Sequence, residues 1–162
     1  DLRYPAKDIA QPVGTVPMIE RGSGVTPVAA VAVEPPREQR DVQMSEKNKA
    51  ILKQANAAVA KGDYEGFLSH CTDDVEWTFV GDKTPKGKEA VRRYMKTTYI
   101  EPPTFAVAHL IAEDDFVTAL GEISIKGETG KVVHYEYCDV WRIRDGKLAE
   151  LRAFVVEIRG EG

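Results

Sequence analysis

The stretch from Val132 to Ile143 constrains the fold more than any other part of the chain. It reads Val-Val-His-Tyr-Glu-Tyr-Cys-Asp-Val-Trp-Arg-Ile, β-branched and aromatic, with no Gly or Pro inside. Gly130 before it and Asp145-Gly146 after it supply turns, so the pattern predicts one long strand. Alternation places Val133, Tyr135, Tyr137, Asp139 and Trp141 on one face, and His134, Glu136, Cys138, Val140 and Arg142 on the other. The first face is apolar and aromatic with a single carboxylate in it. An unpaired buried charge is costly, so Asp139 must find a partner, hold a proton or face a wet cavity.

The chain divides at about residue 44. Residues 1–43 hold six of the nine prolines and one aromatic residue, Tyr4. Gly22-Ser23-Gly24 and Pro35-Pro36 break any periodicity there. Such a segment buries too little apolar surface to offset its chain entropy, so 1–44 is expected as an extended tail that does not fold alone. It lacks the charged start and apolar core of an intact secretory leader. Its short apolar patch, Val28 to Val33, is suited to adding onto a sheet edge of this or another protein.

From 45 to 162 the apolar spacing is regular. Ser45 is expected to cap a helix carrying Ile51, Leu52, Ala55, Ala58 and Val59. Gly62 ends it, and Asp63 caps a short second helix with Tyr64, Phe67, Leu68 and Cys71. Val75, Trp77 and Phe79 alternate as a first strand. A third helix spans about Lys88 to Thr98, with Tyr94 on its apolar face, and Glu101-Pro102-Pro103 stops the chain from continuing it. Strands at about 105–112, 116–126, 132–143 and 148–158 follow, separated by breaks of hairpin length, which predicts an antiparallel meander. Helices followed by a run of strands give an α+β domain, with three N-terminal helices packed on a curved, mainly antiparallel sheet that leaves a cone open at one end.

Composition excludes several functions. Net charge is −4, without Lys/Arg clusters, which argues against nucleic acid as a partner. No apolar run approaches the ~20 residues of a spanning helix, so the chain is not expected to cross a membrane. Cys71 and Cys138 form neither a disulfide framework nor a zinc motif and read as free thiols, which with the missing leader gives the cytoplasm as the default compartment. His134 and Glu136 share a face but are too few for a metal site. No motif calls for a cofactor. His109, beside Phe105, Val107 and Ile111, reads as a hydrogen-bonded core residue.

The element order, together with Lys61-Gly62-Asp63-Tyr64, Thr72-Asp73-Asp74-Val75-Glu76-Trp77, Gly87-Lys88-Glu89-Ala90-Val91 and Asp139-Val140-Trp141-Arg142-Ile143-Arg144-Asp145-Gly146-Lys147, resembles the nuclear transport factor 2-like superfamily in its SnoaL-like, ketosteroid-isomerase-like branch. The resemblance covers about 45–160. It implies a cone-shaped fold, a sheet-to-sheet dimer, and functions ranging from isomerases and cyclases to proteins that only bind or dimerise. By the same resemblance Asp139 falls where ketosteroid isomerases keep a protonated Asp. Phe79 falls at their general base and Ala55 at their oxyanion tyrosine. Neither moves a proton, so steroid isomerisation is not expected.

Three functions fit these residues. The first is binding of a small apolar molecule in the cone, with Trp77, Phe79, Tyr94, Tyr135, Tyr137 and Trp141 lining it and Asp139 as polar anchor and candidate acid/base catalyst. The second is a non-enzymatic interaction subunit, dimeric through the outer sheet face and tethered to a larger assembly by residues 1–43. The third is isomerase- or lyase-type chemistry with Asp139 as sole acid or base. The outward residues Phe154, Val156 and Ile158 of the last strand carry the dimer expectation, because monomers seldom leave such a patch open.

Overall fold

The computed structural model describes residues 34–159. Their order is α1 (Arg37–Ala60), α2 (Tyr64–Ser69), β1 (Cys71–Phe79), α3 (Lys88–Thr98), β2 (Thr104–Glu113), β3 (Phe116–Lys126), β4 (Val132–Arg144) and β5 (Lys147–Glu157). The five strands form one curved, unclosed sheet in the order β1-β5-β4-β3-β2. Every pairing is antiparallel except β1 with β5. The expected α+β architecture holds.

Local chemistry explains the joints. Gly62 at φ 75° ends α1, and the Asp63 carboxylate accepts from the Gly66 N–H at 2.8 Å to start α2. Asp145 and Gly146, at φ 51° and 72°, make the tight turn between β4 and β5. Asp114, at φ 52°, opens the turn between β2 and β3, and the Asn48 side chain donates to its carbonyl at 3.1 Å. That bond ties α1 to the far edge of the sheet and gives the buried Asn48 amide a partner.

The core lies between the helices and one sheet face. Leu52, Ala55 and Val59 of α1, Phe67 and Leu68 of α2, and Val91 and Met95 of α3 close over Trp77, Val117, Trp141, Leu148 and Leu151. Arg92 of α3 reaches Glu65 of α2 at 2.6 Å and joins the two helices at the surface.

Two sequence expectations are corrected. The first helix starts at Arg37 with Pro36 as its cap residue, so Ser45 lies inside it, and 37–44, expected as tail, is helical. Those first turns are exposed and carry surface ion pairs such as Arg40–Glu34 in place of an apolar stripe, so apolar spacing cannot reveal them. The expected tail up to residue 33 falls outside the described residues. His109 is exposed, not in the core. A bulge in β2 between Val107 and His109 shifts the alternation, turning His109 and Ile111 outward while Phe105, Leu110 and Ala112 pack on the core.

Candidate functional site

Strand register builds the site. On the inner face Trp77, Leu151, Trp141 and Val117 stand in one row across β1, β5, β4 and β3. The next row is Phe79, Ala153, Asp139 and Ala119. The third, toward the open end, brings Val155, Tyr137 and Gly121 together, and the fourth includes Tyr135 and Ile123. Asp139 is therefore flanked by two alanines, and Tyr137 by a glycine. Small residues beside bulky ones leave space above the carboxyl group.

That space is a cavity of about 390 Å³. Its wall includes Trp77, Phe79, Tyr94, Tyr135, Tyr137, Asp139 and Trp141, so the structure brings all seven sequence-selected residues to one place. The ring centroids of Phe79 and Tyr94 lie 4.8 Å apart, and Trp77 meets Phe67, Phe79, Tyr94 and Trp141 in edge-on contacts of 5.5–6.2 Å. The indole N–H of Trp77 is buried with no hydrogen-bond partner among the described residues.

Asp139 is half-buried in the cavity wall, among the aromatic side chains that line it. Desolvation raises its pKa to about 7, and no salt bridge or hydrogen bond opposes the shift among the described residues. Burial, reinforced by the Asp139 charge, lifts the Tyr137 hydroxyl to about 12 and also raises Tyr99. Tyr94 is raised chiefly by burial. These phenols stay protonated at neutral pH. Asp139 alone in the inner wall titrates near it.

Sequence reasoning missed Tyr99, Phe105 and Asn56, which also line the cavity. Tyr99 follows the last turn of α3, outside the helical spacing that marked Tyr94. Phe105 was visible as an inward strand residue, but which way α1 crosses β2 was not. Ala119 and Ala153 are ordinary inward residues whose importance shows only once register sets them beside Asp139. Among the described residues no group of three or more His, Cys, Asp and Glu side chains is placed to hold a metal ion. No helix among them is long and apolar enough to cross a membrane. Cys71 is buried and Cys138 half-buried, both as free thiols, and burial pushes the Cys71 thiol up to about 12.

Residues 52–151 match the family model described as the SnoaL-like domain. No curated protein matches the chain in sequence. Among solved structures, the epoxide hydrolase/cyclase-like enzyme SalBIII, which has a role in pyran ring formation in the polyether salinomycin, is similar at 22% identity and a TM-score of 0.65, covering 70% of this chain and 94% of its own. A nuclear transport factor 2-like protein of unknown function from Burkholderia pseudomallei is similar at 20% identity and a TM-score of 0.61, over 68% of this chain and 91% of its own. TerC, co-crystallised with polyporic acid, is similar at 21% identity and a TM-score of 0.60, over 68% of this chain and 92% of its own. At these identities the likeness establishes the fold.

Proposed function

The chain belongs to the SnoaL-like domain family, within the nuclear transport factor 2-like superfamily, and from that premise we propose that it binds a small, largely apolar organic molecule in its cone, with Asp139 as the polar anchor. The observation that carries this reading is the pairing of an open aromatic cavity with one unpaired, desolvated carboxyl group in its wall. Leaving such a group without a partner costs stability, and a bound molecule is the natural partner. SalBIII and TerC, which handle organic small molecules, support the same kind of occupant.

Acid/base chemistry follows the same geometry. A carboxyl group titrating near neutrality can give or take a proton at physiological pH. Phe79, in the same row as Asp139, cannot act as its partner, and the other acid of the wall, Asp82, lies exposed on the loop after β1. Asp139 is therefore the one carboxyl base of the inner wall, with the protonated phenols of Tyr94, Tyr99 and Tyr137 beside it as donors, which suits assistance centred on Asp139. The test is titration of tryptophan emission with small aromatic and alicyclic ketones, alcohols, ethers and amines. Both tryptophans of the chain line the cavity, so occupancy reports without background. Saturable change is expected for at least one class, and its absence for all would end the reading.

A second reading, as a dimeric interaction subunit, is favoured by the outer sheet face. Phe154, Val156 and Ile158 are exposed there by 43%, 67% and 43%, with Leu120, Cys138 and Val140 half-buried beside them. Residues 1–36, which precede α1, would then serve as the tether to a protein partner. The two readings are compatible, since one uses the inner face and the other the outer. A chain lacking residues 1–33 should unfold cooperatively and keep its cavity, because every buried core residue of the described part lies between Asn48 and Ala153.

A further inference from the structure

We infer that the occupant of the cone is an organic cation: a small hydrophobic molecule bearing an amine or quaternary ammonium group, seated between the aromatic rings and the Asp139 carboxylate. The inference rests on the ligand-binding reading and narrows it by charge.

The wall decides the sign of the ligand's charge. It contains no Lys, Arg or His, and its two ionisable acids are Asp139 and Asp82. An anionic ligand would enter a desolvated space without a counter-charge and beside a carboxylate. A cation would meet Asp139 as counter-ion and ring faces as secondary partners, since aromatic quadrupoles attract positive charge. The mouth already shows this preference in a protein group: the Lys83 ammonium lies 5.4 Å from the centroid of the Tyr94 ring.

Binding is then linked to protons. The groups facing Asp139 are Tyr94 and Tyr99 from α3 and its end and Tyr137 from β4, all neutral below the range where phenols ionise; β3 and β5 offer Ala119 and Ala153, and α1 offers Asn56 and Val59. The charged Asp82 and Lys83 stand at the rim, 3.8 Å apart. Rising pH therefore ionises Asp139 and creates the counter-charge, while a quaternary ammonium ligand keeps its charge throughout.

The experiment titrates the full chain with benzyltrimethylammonium, its uncharged isostere neopentylbenzene, and the anion phenylacetate, read by tryptophan emission and calorimetry. The cation should bind best, phenylacetate worst, and the cation's affinity should rise at least about tenfold between about pH 5 and pH 8. Asp139→Asn should abolish that pH dependence and bring the cation's affinity down to that of its uncharged isostere. Equal binding of cation and isostere at the higher pH would overturn the inference while leaving the cavity reading intact. Failure of all three probes would overturn both.

Discussion

Gly121 on β3 lies directly opposite Tyr137 on β4, with the Tyr137 phenol folded over it. A Cβ at position 121 would stand 2.7 Å from the Tyr137 hydroxyl oxygen and 2.2 Å from the carbonyl oxygen of Ala106. Neither distance is tolerable, and the carbonyl belongs to backbone that cannot swing away. The bare glycine is what lets the Tyr137 ring lie down and form part of the cavity wall.

Gly121→Ala should therefore lift Tyr137 and spread β2 from β3. Overpacking of this kind typically costs about 1–3 kcal/mol. Thermal unfolding and tryptophan emission of the variant check both effects. An unchanged melting temperature would show that the ring and the carbonyl can move aside.

Ala153 stands between Phe79 and Asp139 on the inner face and is buried. Ala153→Leu places a branched side chain where the cavity lies and beside the carboxyl group. Ligand binding by the tryptophan-emission assay should be lost, and the melting temperature should fall as well, since Ala153 is packed in the core and overpacking there typically costs about 1–3 kcal/mol. Binding that survives this substitution would place the ligand elsewhere.

Much of this was legible in the sequence, and the parts that were not share a cause. Strand alternation put Tyr135, Tyr137, Asp139 and Trp141 on one face, and turn residues fixed the hairpins around them, because these signals are local. His109 was misread because a bulge changes the phase of β2 without leaving a Gly or Pro to mark it. The start of α1 was misread because its first turns are helical by propensity and charge pairing, with no apolar stripe. Ala119, Ala153 and Gly121 carried no signal of their own. Their role arises from register between strands, which no short window of sequence contains.

On the outer face Phe154 pairs across the sheet with Cys138, and Val156 with Glu136. If two copies meet through this face, Phe154→Glu puts two like charges into one two-fold contact, so its effect is doubled. Sedimentation should show a dimer for the unsubstituted chain at micromolar concentration and a monomer for the variant, with the monomer still folded. A variant that sediments as a dimer would remove this face from consideration.

Asp139 should leave its mark on stability as well as on binding. Its carboxyl titrates at about 7 in the folded chain against a reference value of 3.8. Below the lower value it is protonated in both states and costs nothing. As pH rises through the interval the unfolded chain releases the proton freely and the folded chain does not, so stability falls until the folded pKa is passed and then levels off. Asn has the same shape and no proton to lose. Asp139→Asn should therefore melt close to the unsubstituted chain at about pH 4 and above it at about pH 8, by an amount worth a few kcal/mol. Melts at both pH values decide the matter. A difference of the same size at each pH would mean that the carboxyl is not desolvated. A gain confined to the higher pH would mean that the chain keeps at position 139 a residue that weakens its empty fold, which makes sense when the carboxylate is there to meet a ligand.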